Sequence, residues 1–128
     1  MGGAFNTSTP IYIQLGDRIN HQIIRGELLP GDKLPSVREM AVQAGVNPNT
    51  VQRTYRELER MEIVESRRGQ GTFVTENEDI LVKLREQLKE MHISHFVGDM
   101  KMMGYTENEM INGLRHYLDV NREEDGLS

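Results

Sequence analysis

No cysteine occurs among the 128 residues, so the chain has neither a disulfide framework nor thiolate chemistry, which suits a reducing compartment. Tryptophan is also missing, and aromatic residues make up only 5%, thin for a protein that stacks bases or sugars. Long apolar runs are lacking too: nothing approaches the roughly 20 residues that cross a bilayer. The start, MGGAFNTSTP, has neither the basic stretch nor the apolar core of a secretory signal. These absences argue against the membrane, secreted and disulfide-stapled classes and predict a cytoplasmic location. The length suits one compact domain, or a small module with an appendage.

The net charge of −5 argues at first against a nucleic-acid partner. Its distribution points the other way. Residues 1–75 carry a net charge of +1, whereas residues 76–128 carry −6. Two halves of such different character point to different partners, and an acidic whole does not exclude a locally basic face.

Pro10 opens a helical pattern with Thr9 as the expected N-cap. Ile11, Leu15, Ile19 and Ile23 recur every four residues and define one apolar face. Gly26 and the Leu29-Pro30-Gly31-Asp32 turn end this helix, and Lys33-Leu34-Pro35 reads as a short extended piece. Ser36-Val37-Arg38-Glu39 is a capping box, and the helix it opens is interrupted at Ala44-Gly45-Val46. Asn47 and Pro48 then start a helix running to about Met61. Ile63-Val64-Glu65 and Thr72-Phe73-Val74 have strand composition, with Ser66-Arg67-Arg68-Gly69-Gln70-Gly71 as the hairpin tip. Two further capping boxes, beginning at Thr75 and Thr106, announce two tail helices; the polar end from Asn121 to Ser128 is expected to fray. Helix, helix, tight turn, helix and hairpin is the order of a winged helix-turn-helix. The predicted class is α+β, mainly α: a winged helix-turn-helix over residues 1–75, followed by a short all-helical dimerisation tail over residues 76–128. In the turn, Ala41 is small where two helices cross and Gly45 permits a left-handed backbone, while Met40, Val46 and Val51 supply shared core.

On the helix from Pro48, Val51, Tyr55 and Leu58 fall within one narrow arc and face the core. Asn49, Arg53, Arg56 and Arg60 share the opposite side, with Gln52 at its edge. Amides and guanidiniums pair bidentately with base edges and also serve phosphates. Glu57 and Glu59 on the flanks are what an ordinary solvated face would show; the position of the helix, second in the motif and followed by a basic hairpin, favours double-stranded DNA. At the tip, Arg67 and Arg68 supply charge while Gly69 and Gly71 let the backbone approach a phosphate or a minor groove. Arg38 lies in the first turn of its helix, where a phosphate is favoured.

The run from Leu29 to Ala41, LPGDKLPSVREMA, resembles the signature of the GntR family of bacterial transcription regulators. So do Asn49-Thr50-Val51-Gln52-Arg53 followed by Glu57-Leu58-Glu59, and the wing Arg68-Gly69-Gln70-Gly71-Thr72-Phe73-Val74. The resemblance covers residues 10–75. The Asn47-Pro48-Asn49-Thr50 start and the short tail are similar to the YtrA-like subfamily, whose members are dimers often linked to the control of ABC-transporter operons. The resemblance implies DNA contacts at Arg38, Asn47, Asn49, Thr50, Gln52 and Arg53, and in the wing at Arg68, Gly69 and Gly71. Two positions depart from the family pattern. Glu62 stands where glycine usually follows the recognition helix, and Pro48 replaces a frequent arginine.

The tail is much shorter than the effector domains of other GntR subfamilies. Leu81, Leu84, Leu88 and Met91 alternate by three and four, as in a helix seam, and Met110, Ile111, Leu114, Tyr117 and Leu118 form a second apolar face. Such faces either pack back on the winged helix or join two subunits. A homodimer interface, with Leu81, Leu84, Leu88, Met91, Ile111, Leu114 and Leu118 as its residues, agrees with the two-fold reading of a palindromic operator. Met91, Met100, Met102, Met103 and Met110 cluster there as gap-filling core, with a pocket for a small-molecule effector as the alternative. His92 and His95 have helical spacing for a metal pair, but no third ligand completes a site, so neither metal nor cofactor is expected. Nothing points to an enzyme: there is no cysteine nucleophile, phosphate loop or recognisable Ser–His arrangement. The rival to a DNA-binding repressor is a winged helix used for protein or RNA contacts. A protein-binding face would more often show exposed apolar groups than a stripe of Asn49, Gln52 and Arg53.

Overall fold

The computed structural model describes residues 5–122. The elements run α1 (Ile11–Ile24), α2 (Val37–Ala44), α3 (Pro48–Arg60), β1 (Val64–Arg67), β2 (Gly71–Val74), α4 (Glu78–Met102) and α5 (Glu107–Val120). By internal packing the chain forms two units, one ending at Glu86 and one starting at Gln87.

In the first unit, Leu15, Ile19 and Ile23 are buried, four residues apart as helical periodicity requires, while Ile11 at the helix start is exposed. Pro10, not Thr9, flanks α1: its ψ of 141° is extended and no side chain caps the helix. Gln14 secures this end instead, donating from Nε2 to the carbonyl oxygens of Asn6 (2.9 Å) and Thr9 (2.6 Å). α2 opens on the full Ser36–Glu39 capping box and closes on Gly45, whose φ of 67° permits the abrupt turn into α3. α3 begins with Asn47 accepting the Asn49 N–H and Pro48 in the first turn. Val51, Tyr55 and Leu58 pack inward with Met40 and Ala41; Val46 is half-buried.

The hairpin is antiparallel, with Val64 opposite Val74 and Arg67 opposite Gly71. Its turn is therefore only Arg68-Gly69-Gln70, shorter than expected. The extended piece before α2 lies along β2 through a Lys33–Phe73 bridge, with Leu34 N–H donating to Thr72 (2.8 Å) and Val74 N–H to Asp32 (2.8 Å). Leu34, Ile63, Val64 and Val74 are all but fully buried. The box expected at Thr75 does not form. Thr75 is buried just past β2, its N–H donating to the Ile63 carbonyl oxygen beside the hairpin (2.9 Å). Asn77 begins α4 instead, accepting the Asp79 N–H at Oδ1 (3.0 Å). The first turns of α4 belong to this unit: Leu84 is buried and Arg85 Nη1 reaches the Ile24 carbonyl oxygen at 3.4 Å.

In the second unit, α5 opens on the full Thr106–Glu109 capping box. Met110 is buried, but Ile111, Leu114, Tyr117 and Leu118 are exposed. Asn121 Nδ2 caps the end by donating to the Tyr117 carbonyl oxygen. Of the polar end expected to fray, residues 123–128 lie outside the described residues.

Candidate nucleic-acid interface

α3 presents Asn49, Gln52, Arg53, Arg56 and Arg60 to solvent along one side, with Asn47 exposed at its cap and Thr50 half-buried. The helix is fixed in three ways. Thr54 is buried, with its hydroxyl 2.9 Å from the Tyr12 carbonyl oxygen and 3.0 Å from that of Thr50. Tyr55 donates its hydroxyl proton to the Pro35 carbonyl oxygen at 2.7 Å. Burial, and then the Glu39 carboxylate, push the Tyr55 hydroxyl well above the ordinary tyrosine range, so it stays a donor. Glu59 accepts the Ser66 N–H at 2.9 Å and ties the last turn of α3 to β1. By sequence only a flanking acid, Glu59 is therefore a strut between recognition helix and wing.

An open groove of about 300 Å³ runs between α3 and the hairpin, lined by Gln52, Arg56, Glu59, Ser66 and Thr72 among others. The cations around it are not equivalent. Arg60 pairs with Glu57 at 2.9 Å. Arg53 rests over the Tyr12 ring, its Cζ 3.8 Å from the centroid. Arg38, Arg56 and Arg68 make no ion pair among the described residues. Arg67 is not at the tip. It lies in β1, paired with Glu65 at 2.9 Å and seated over Phe73 at 4.2 Å. Opposite it stands Gly71, where a Cβ would meet the Lys33 side chain at 2.8 Å, and the guanidinium reaches Phe73 diagonally across the pair. The wing tip proper holds Arg68 and Gly69, both exposed; a Cβ on Gly69 would meet nothing within 4 Å.

At the start of α2, Glu39 takes the Ser36 N–H at 2.9 Å, which holds its carboxyl below the usual carboxylate range. The chain itself thus places a negative charge at this helix start, beside the exposed Arg38 side chain. Residue types alone gave no signal for Tyr12, Thr54 or Tyr55 as supports of this surface, because each works through a partner remote in sequence. Among the described residues no group of three or more His, Cys, Asp or Glu could hold a metal, and no helix is long and apolar enough to cross a membrane.

A family model, described as bacterial regulatory proteins of the gntR family, matches residues 11–74. The HTH-type transcriptional regulator YhcF of Bacillus subtilis is 51% identical over 119 residues, covering 93% of this chain and 98% of that protein. The HTH-type transcriptional repressor YtrA of the same species is 44% identical over 99 residues, covering 72% and 76%. Among solved structures, a GntR family transcriptional regulator from Listeria monocytogenes superposes with a TM-score of 0.83 at 36% identity, covering 88% of this chain and 98% of that one. These relatives are transcriptional regulators, not enzymes, and this chain, with a winged helix-turn-helix followed by a helical C-terminal region, shares their family. In helix-turn-helix proteins the second helix of the motif is the one that enters the major groove. The chain belongs to the gntR family of DNA-binding bacterial transcription regulators.

Proposed function

We propose that the chain represses transcription as a cytoplasmic homodimer on a palindromic operator, of the kind that controls an ABC-transporter operon in YtrA-like regulators. The observation that carries this reading is the exposed stripe of Asn49, Gln52, Arg53 and Arg56 on α3, flanked by Arg68 at the wing tip. Asn49, Gln52 and Arg53 read base edges, since planar amides and guanidiniums match them bidentately. Arg38, Asn47, Thr50, Arg56 and the backbone at Gly69 and Gly71 serve phosphates, which fix register without carrying sequence. Repression is favoured by the similarity to the YtrA repressor. The dimer contact is made by the exposed apolar groups of the helical tail, Met91, Ile111, Leu114 and Leu118, and by Leu81 and Leu88 of α4, each half-buried within the single chain. Leu84, expected in the same seam, is already buried within its own chain and adds little new area there.

Titration of fluorescent duplexes at several salt concentrations tests the reading. A duplex from upstream of the chain's own gene is expected to bind at least about 1,000-fold tighter than an unrelated duplex of equal length, with log affinity falling linearly in log salt. Equal affinity for both duplexes at every salt concentration would remove the case for sequence-specific regulation by this surface.

A further inference from the structure

We infer that Tyr12, in the first turn of α1, is a positioning residue for sequence readout: its ring holds the Arg53 guanidinium in one attitude on the outer side of α3. The inference rests on the proposed reading of α3 as the base-reading helix. Arg53 Cζ lies 3.8 Å from the Tyr12 ring centroid, although Arg53 belongs to the solvent-facing stripe.

Both ends of this contact are anchored. Thr54, the next residue along α3, is buried and its hydroxyl lies 2.9 Å from the Tyr12 carbonyl oxygen. One turn along α1, Gly16 has no side chain, and a Cβ there would meet Thr54 Cγ2 at 3.8 Å. That contact is of ordinary van der Waals length; it is the Thr54–Tyr12 hydrogen bond that ties the two helices here and sets the Tyr12 ring beside α3. A guanidinium seated over a ring uses its flat face and keeps its edge N–H donors for a planar acceptor. An arginine free in solvent must surrender several rotatable bonds on binding; one already held surrenders fewer. Among the described residues of the stripe, Arg56 has no such support and Arg60 is occupied by Glu57. Arg53 is the cation prepared for a directional contact.

The test uses the full chain as wild type, Arg53→Ala, Tyr12→Leu, Tyr12→Phe and the Tyr12→Leu/Arg53→Ala pair. A randomised double-stranded DNA library yields the preferred duplex, and affinities are measured on it and on duplexes with each base pair changed singly. Arg53→Ala is expected to erase preference at one base pair per half-site, a loss of roughly 5- to 150-fold. Tyr12→Leu should weaken that same preference about 2- to 5-fold and no other. It should add nothing once Arg53 is alanine, and Tyr12→Phe, which keeps the ring, should behave as wild type. Tyr12→Met replaces Tyr12→Leu if thermal melts show the latter unfolded. The positioning role is overturned if losing the ring leaves that preference intact, lowers affinity equally at all positions, or acts additively with Arg53→Ala. If Arg53→Ala itself leaves every base preference unchanged, the base-reading role of Arg53 fails and the positioning role falls with it.

Discussion

Glu62 has a φ of 63°, the one described non-glycine residue with positive φ. It follows α3 at the point where its N–H donates to Glu59 (2.9 Å) and the Ile63 N–H to Leu58 (3.0 Å), the paired bonds of a Schellman end. α1 and α4 close through the same bonds but place glycine there, Gly26 at φ 81° and Gly104 at φ 88°. Burial of Leu58 and Ile63 on either side holds Glu62 in the strained region. A left-handed non-glycine residue costs about 1–2 kcal/mol, and glycine returns part of that as lost chain entropy. Glu62→Gly should therefore stabilise the fold by about 0.5–1 kcal/mol in denaturant unfolding; a destabilised variant would show that the Glu62 side chain makes a compensating contact. Glu39 sets a pH dependence at the same scale. Its carboxyl is held low by the Ser36 N–H and then the Ser36 hydroxyl, so its contribution is present above the ordinary value of 4.5 and is lost as pH falls through the lowered folded value. Wild type should exceed Glu39→Gln in stability at neutral pH, and the two should converge in acid. A constant difference across that window would assign the effect to shape rather than charge.

The elements that the sequence made legible are those with local chemistry. Ser36 with Glu39, Thr106 with Glu109, and Asn47 with Pro48 each carry their signal within four residues, and each begins a helix where the spacing puts it. Signals that depend on sheet register were not legible. Thr75-Glu76-Asn77-Glu78 has the form of a capping box, but a distant carbonyl, that of Ile63, claims the Thr75 N–H and moves the cap to Asn77. Arg67 has the neighbours of a tip residue, yet register sets it opposite Gly71 and over Phe73. The dispositions of Arg67 and Arg68 predict different phenotypes within one hairpin. Arg68→Ala should weaken binding similarly on all duplexes and reduce the salt slope by about one. Arg67→Ala should leave the slope nearly unchanged and lower thermal stability slightly, through the exposed Glu65 pair and the Phe73 contact. Salt titrations of both variants separate the cases, and an equal loss of slope in both would put Arg67 on the phosphates.

Across the whole molecule, charge divides between the two ends of the chain. Residues 1–75 carry +1 and residues 76–128 carry −6, so phosphates attract the first part and repel the second. The tail also displays Phe96, Ile111, Leu114, Tyr117 and Leu118 to solvent within a single chain. The proposed dimer would use these exposed apolar groups as its association site, and the tail's acidic character would keep them from nucleic acid. Leu114 allows a test that spares the fold, because it is 48% exposed and glutamate is a good helix former. Leu114→Glu should keep its helical spectrum but sediment as a monomer, since facing carboxylates in a two-fold interface would be desolvated and alike in charge. The monomer should bind a single half-site as before and lose roughly 100-fold on a palindrome, the advantage that linkage gives two half-sites. A chain truncated after Glu86, where the first unit ends, should behave in the same way. If Leu114→Glu and the truncated chain both remain dimers, the subunits join through the winged helix, and the apolar tail faces another partner.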